Sequence, residues 1–264
     1  MAKTPNSYDP DLWSSAVYRV LSLYAGEPIE DVRDVAKLLV EYFCHAPEKP
    51  THFSYRIVGA RQRKLKTKTI EKVLETLETS EGRMESMYVE AIRDDDHTHA
   101  VASIGYAYSE IGRQNTKISA CAFQEDFNFL LARKLAISAS EVLSIDYGFS
   151  SCRRNLLDAL GFAHGLRVDS DPYSSKRERW LRNFDLNDPR PSDIPFLGVF
   201  ELNVLSDMHM SKSVAGKPFD AYVREKGRGT LERIGKANFL WCLDQDDIDR
   251  AKAELAGCGL VAMD

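Results

Sequence analysis

Six apolar residues, Ile29, Val32, Ala36, Leu39, Val40 and Phe43, recur at offsets of 0, 3, 7, 10, 11 and 14. That spacing lines them along one side of a helix over about residues 29–44. A helix with one apolar side must bury it against something. Pro28 stands at the start of this segment, and Pro47 and Pro50 close it.

The rest of the chain supplies that surface as β-strands. Residues 52–58, 86–93, 100–109, 117–123, 144–149, 196–205 and 238–243 are rich in β-branched and aromatic side chains and are predicted as strands. Leu260, Val261 and Ala262 are expected to return as an edge strand. Ile70, Val73, Leu74 and Leu77 give a second amphipathic helix, with Glu71, Glu75, Glu78 and Glu81 on its outer side. The longest helical pattern covers 125–143. A short one covers 150–160 and is closed by Gly161, and a terminal one covers 246–256. An apolar stretch from Leu12 to Tyr24 ends at Gly26 and Pro28. Residues 169–195 are rich in loops, but Tyr173, Trp180, Leu181 and Phe184 are too apolar for a free linker. These elements predict an α+β fold, a mostly antiparallel sheet packed against helices on one face. The expected organisation is one domain over residues 1–264, with two fused subdomains meeting near residue 110 as the alternative.

Composition removes several classes. The chain has 264 residues, 44% hydrophobic and 28% charged, which is globular and not disordered. Lys plus Arg is 35 and Asp plus Glu is 40, a net charge of −5. That balance argues against a whole surface made for nucleic acid or anionic membrane. The first residues are polar, and no window reaches the roughly 18 apolar residues of a membrane span. Five cysteines, Cys44, Cys121, Cys152, Cys242 and Cys258, form no C-x-x-C pair. Buried, reduced thiols in a cytoplasmic protein are expected.

No catalytic motif emerges. The phosphate-binding loop and the Gly-x-Ser-x-Gly elbow are both missing from the sequence. Gly227, Arg228, Gly229 and Thr230 read as a turn. Cys44 and His45 are adjacent, and helical neighbours point about 100° apart, so adjacency makes no catalytic pair. Asp94, Asp95, Asp96, His97 and His99 combine carboxylates and imidazoles, which suits a divalent metal or proton transfer. A metal-dependent hydrolase built on Asp96, His97 and His99 is therefore one alternative. A solvated hairpin tip is the simpler account, because the sequence offers no further ligands at metal spacing. Asp207 and His209 read as structural, and His52 and His164 stand alone. Arg61, Arg63, Lys64, Lys66 and Lys68 form a basic run that suits phosphates, which makes a nucleic-acid-binding module the other alternative. The run lacks aromatics for base stacking and reads as a solvated loop. No catalytic, metal-binding or cofactor-binding residue is assigned, and no cofactor is expected.

Acid is instead scattered over loops and element ends: Asp94 to Asp96, Asp169, Asp171, Asp185, Asp188, Asp193 and the group from Asp244 to Asp249. Acidic loops suit a basic protein partner, which they steer into fast encounter.

The C-terminal third has a recognisable layout. A strand-like run from Phe200 to Met210 leaves into a polar turn. Gly216 to Val223 follows as a short amphipathic segment, then Arg228 to Leu231, the strand Phe239 to Leu243, and a helix ending in Gly259, Leu260 and Val261. This layout resembles the immunity proteins of bacterial polymorphic-toxin and type VI secretion systems, most closely the immunity protein 52 family. The likeness is closest over residues 199–262 and looser elsewhere, and its motifs are structural positions with no catalytic residue to carry over. The resemblance implies a cytoplasmic antitoxin, not an enzyme, that binds a cognate effector toxin, a nuclease, and blocks its active site or an adjacent surface. It implies no membrane and no direct nucleic-acid contact. Asp94, Asp95 and Asp96 are the expected partner-binding residues, with Asp185 and Asp188 as further candidates.

Overall fold

A computed structural model describes residues 17–25, 32–47, 49–59, 63–66, 70–92, 98–108, 114–154, 156–164, 176, 179–180 and 195–262. Its frame is one ten-stranded sheet in which every strand pairing is antiparallel. The strands of this sheet are β1 (Val17–Ala25), β2 (His52–Ile57), β3 (Arg63–Lys66), β4 (Met84–Ile92), β5 (Thr98–Tyr108), β6 (Gln114–Phe123), β7 (Ile145–Arg154), β8 (Leu202–Ser206), β11 (Thr230–Ile234) and β12 (Asn238–Cys242). Their order across the sheet is β11-β12-β8-β7-β1-β6-β5-β4-β2-β3. A two-residue pair, β9 (Ser213–Val214) and β10 (Lys217–Pro218), stands apart. The helices are α1 (Arg33–His45), α2 (Ile70–Thr79), α3 (Phe129–Val142), α4 (Leu156–His164), α5 (Asp207–Met210), α6 (Phe219–Lys226) and α7 (Gln245–Gly257). The α+β class and the antiparallel sheet are as the sequence implied.

Central strand β1 shows how the layers are built. Leu21, Leu23 and Ala25 point to one face, where they meet Val35, Ala36, Leu39 and Phe43 of α1, Val73 and Leu77 of α2, and Leu135 of α3. Tyr18 and Val20 point to the other, against Ala159 and Ala163 of α4. Tyr24 on that same face joins an aromatic core with Tyr147, Phe149, Phe196, Phe219 and Trp241, completed by Ile248, Ala251 and Leu255 of α7. Helices therefore cover both faces, not the single face expected. Trp241 and Phe196 are fully buried, and truncating one residue of this kind costs about 3–5 kcal/mol.

Several boundaries differ from the sequence expectation. The strand expected at 144–149 continues to Arg154, because β7 pairs with β1 along its whole length out to Val17 and Arg154. The helix expected at 150–160 consequently starts at Leu156 and runs through Gly161 without stopping. The run 196–205 is not one strand. Phe196 makes only an isolated parallel bridge to Val261, which is also all that remains of the expected edge strand at 260–262. The regular strand begins at Leu202, and buried Asn203 within it holds the turn that precedes it. Its Nδ2 donates to the Phe200 carbonyl at 2.7 Å, and its Oδ1 accepts from the Phe200 amide at 3.2 Å. Within the basic run, Arg63 to Lys66 are not loop but form β3, paired with β2.

The expected turn after α6 is present. Gly227 caps the helix in the left-handed region at φ 63°. Gly229 also lies at positive φ, and a Cβ there would run into the Cys242 carbonyl. Of the thiols, only Cys121 is buried. Cys44, Cys152 and Cys242 are half-buried and Cys258 is exposed at the end of α7, so the expectation of buried cysteines fails for four of five. Among the described residues no helix is long and apolar enough to cross a membrane.

Candidate functional site

The acidic connection Asp94, Asp95 and Asp96 lies outside the described residues, as do His97, Asp185 and Asp188. The strands that carry it are described. β4 and β5 pair from Ser86 and Gly105 to Ile92 and Thr98, so residues 93–97 join two neighbouring long strands. A bulge sits at this end: Ala91 pairs with Ala100 and Ile92 with Thr98, leaving His99 as the extra residue.

β6 runs beside β5, with Ala100 opposite Ala122, and so reaches Phe123 at the same end of the sheet. Residues 125–128, expected to open a helix, instead form with Gln124 a connection. The Gln124 amide donates to Val17 O at 2.9 Å, and the Asp126 amide to Phe123 O at 3.0 Å. The helix begins only after Asn128, whose side chain caps it by accepting from the Leu131 amide at 3.1 Å. Glu125 is exposed and Asp126 half-buried in this connection. Neighbouring strands are about 4.8 Å apart, so Ile92, Thr98 and Phe123 end their strands at the same end of the sheet, and the connection that leaves Phe123 carries Glu125 and Asp126. The sequence reading missed Glu125 and Asp126. The signal available was Asn128, a strong helix N-cap residue placed just before the apolar run.

The remaining candidates do not converge on this end in a common site. His209 is fully buried at the start of the C-terminal layer, and Asp207, two residues before it, is exposed. Asp244 is spent on capping α7, accepting from the Asp247 amide at 2.8 Å. Arg61 and Lys68 lie outside the described residues, while Arg63, Lys64 and Lys66 belong to β3. Among the described residues no group of three or more His, Cys, Asp or Glu side chains is placed to hold a metal ion. A crevice between α1 and α3 is lined by Leu38, Tyr42, His45, Leu131 and Lys134. A second cleft is lined by Lys176, Arg179, Trp180 and Pro195.

The densest polar wiring holds α6, the turn after it and α7 together. Arg228 donates to Glu254 through Nη2 at 2.6 Å and Nε at 3.2 Å. Tyr222 Oη donates to Glu254 Oε2 at 2.7 Å, and Asp247 accepts from the Gly229 amide at 3.0 Å. The Arg228 hydrogen bond holds the Glu254 carboxyl below the usual range, outweighing its partial desolvation. Burial, then the Glu254 hydrogen bond, push the Tyr222 phenol up. The Arg228 side chain is only 14% exposed, so the clasp is more than a surface ion pair. Arg228→Met should lower stability by about 2 kcal/mol, because it removes two of the three donors that now satisfy a part-buried carboxylate. Urea unfolding checks this, and a loss below about 0.5 kcal/mol would mean that water replaces the clasp without cost.

No protein-family model, curated protein or solved structure matches the chain.

Proposed function

We propose that this protein is an immunity protein that neutralises a cognate bacterial toxin, a nuclease, by covering the toxin's basic surface with an acidic one. The observation that carries this reading is acidic sequence at one end of the sheet: Asp94, Asp95 and Asp96 lie in the sequence between β4 and β5, and Glu125 and Asp126 follow β6, whose end lies beside the start of β5. A nuclease cleft is lined with cations because it holds phosphates. Carboxylates offer that cleft a substitute for the charge of the nucleic-acid backbone, and long-range attraction accelerates the encounter. The sequence resemblance over residues 199–262 supports the class, and the acidic end supports the mode of binding.

Co-expression tests the reading. Cells making the toxic product of the adjacent gene should survive when this chain is made with it. They should not survive an unrelated nuclease in its presence. Purified toxin and this chain should form a complex whose association rate falls as salt is raised. Protection with no physical complex would end the proposal, and so would a complex indifferent to salt.

A further inference from the structure

We propose that the crevice between α1 and α3 binds a small zwitterion, a free amino acid with an apolar side chain. The site is independent of the toxin reading. α1 begins where the Val32 amide donates to Met84 O at 3.1 Å, and the chain leaving it passes Glu90, whose carbonyl accepts from the Thr51 amide at 2.8 Å. It therefore runs in the direction of β4. α3 runs the other way: it follows Phe123 at the end of β6 and leads back to Ile145, level with Ala25 and Thr116 near the start of β6. Leu38, Glu41 and Tyr42 of α1 and Leu131, Lys134 and Leu135 of α3 line the crevice. Each trio has offsets of 0, 3 and 4, the spacing that puts three side chains on one helix face.

Floor and walls differ in chemistry. Tyr42, Leu131 and Leu135 are buried and Leu38 is half-buried, whereas Glu41 and Lys134 are exposed. One wall thus carries an acid and the other a base above an apolar floor, and neither charge is paired with another described residue. Tyr42 is only 7% exposed, and its hydroxyl has no hydrogen-bond partner among the described residues. The hydroxyl is not sealed in, and the crevice is the opening that Tyr42 lines. Burial pushes this phenol up, so it stays protonated and able to donate. A polar group this deep costs stability unless something meets it. A carboxylate accepting from Tyr42 and Lys134, an ammonium donating to Glu41 and an apolar side chain over the leucines would satisfy every lining group. The crevice measures about 320 Å³ with its open mouth included, the lower end of the range for ligand pockets, which suits a molecule the size of leucine and not a nucleotide. A residue inside a peptide lacks both charges and a chain terminus offers only one, so the free amino acid is the match.

Ligand-observed NMR titration of the full chain tests this. Leucine should bind with a Kd on the order of 1 mM and, at about ten times that concentration, raise Tm by about 2 °C. Leucinamide, which lacks the carboxylate, and N-acetylleucine, which lacks the ammonium, should each bind about fivefold more weakly. Glycine, with both charges and no side chain, should give no saturable signal. Lys134→Met should weaken leucine about fivefold and leave leucinamide unchanged, and Glu41→Gln should weaken leucine similarly and leave N-acetylleucine unchanged. Both positions are exposed, so the fold survives either change, and a purely structural role would not separate the ligands in this way. Tyr42→Phe keeps the ring on the floor and should weaken leucine and leucinamide unequally, leucine more. No binding of leucine would overturn the proposal. Equal binding of leucine, leucinamide and N-acetylleucine would overturn it as well, by making the crevice a general apolar cleft, and so would equal binding of glycine, by making the effect one of bulk zwitterion.

Discussion

The triple substitution Asp94→Lys, Asp95→Lys, Asp96→Lys should weaken the complex with the toxin by on the order of 4 kcal/mol, about a thousandfold in Kd. In the proposed binding mode each of the three carboxylates attracts a cation of the toxin, and reversal turns each attraction into repulsion. The substitutions fall between Ile92 and Thr98, the last pair of the β4–β5 ladder, so they leave the paired strands and the core beneath them alone. Glu125→Lys should have a smaller effect of the same sign, because it reverses only one exposed charge, in the connection that follows β6. Asp249→Lys, on the exposed side of α7, serves as control and should change affinity by less than about 0.5 kcal/mol. Isothermal titration at two salt concentrations measures all three. Unchanged affinity in the triple variant would remove Asp94 to Asp96 from the interface and leave the acidic end without a role.

How far the sequence could be read depended on how many faces each element buries. α1 was legible because Val32, Ala36, Leu39, Val40 and Phe43 share one buried side, and all five are buried in the structure. β1 was not legible as the central strand. Both its faces are covered, so Val20 to Ala25 are buried without a break, and continuous burial erases the alternation that marks a strand. β11 was missed for the opposite reason: Thr230, Glu232 and Arg233 are exposed on a short edge and give almost no pattern. The β7–α4 boundary moved because pairing with β1 holds residues 150–154 extended, and local propensity cannot report that partner. The basic run followed the same logic, since Arg63 to Lys66 become a strand only because β2 lies beside them. For the acidic end, the residues Asp94 to Asp96 were visible in the sequence. The relevance of Glu125 and Asp126 was not, because only the β5–β6 register places the end of β6, which leads into them, beside the start of β5.

His209 gives the second large effect, in the pH dependence of stability. Its ring is wholly buried, 5.2 Å between centroids from both Tyr147 and Phe196. The Ser206 amide can only donate, and it lies 3.4 Å from Nδ1. Nδ1 is therefore the acceptor and the proton sits on Nε2, which has no hydrogen-bond partner among the described residues. Burial first, and the nearby Lys212 ammonium second, push the imidazole pKa down to about 3. In the unfolded chain it returns to its ordinary 6.5. The unfolded state thus takes up the proton first as pH falls. The contribution of neutral His209 is complete above pH 6.5, declines below it and is gone near pH 3. At 1.36 kcal/mol per unit, wild type should lose about 2 kcal/mol between pH 7.5 and pH 5, and roughly 4–5 kcal/mol by pH 3. Glu254, held below the ordinary carboxylate value, adds its own loss only further down. His209→Gln keeps an acceptor for Ser206 and cannot titrate, so the difference between the two proteins isolates the histidine. Urea midpoints followed by the fluorescence of Trp241 and Trp180, both in the same aromatic core, report the outcome. Equal losses in wild type and His209→Gln between pH 7.5 and 5 would show that the ring is hydrated in the native state, and the dry aromatic core between β7, α5 and Phe196 would have to be redrawn.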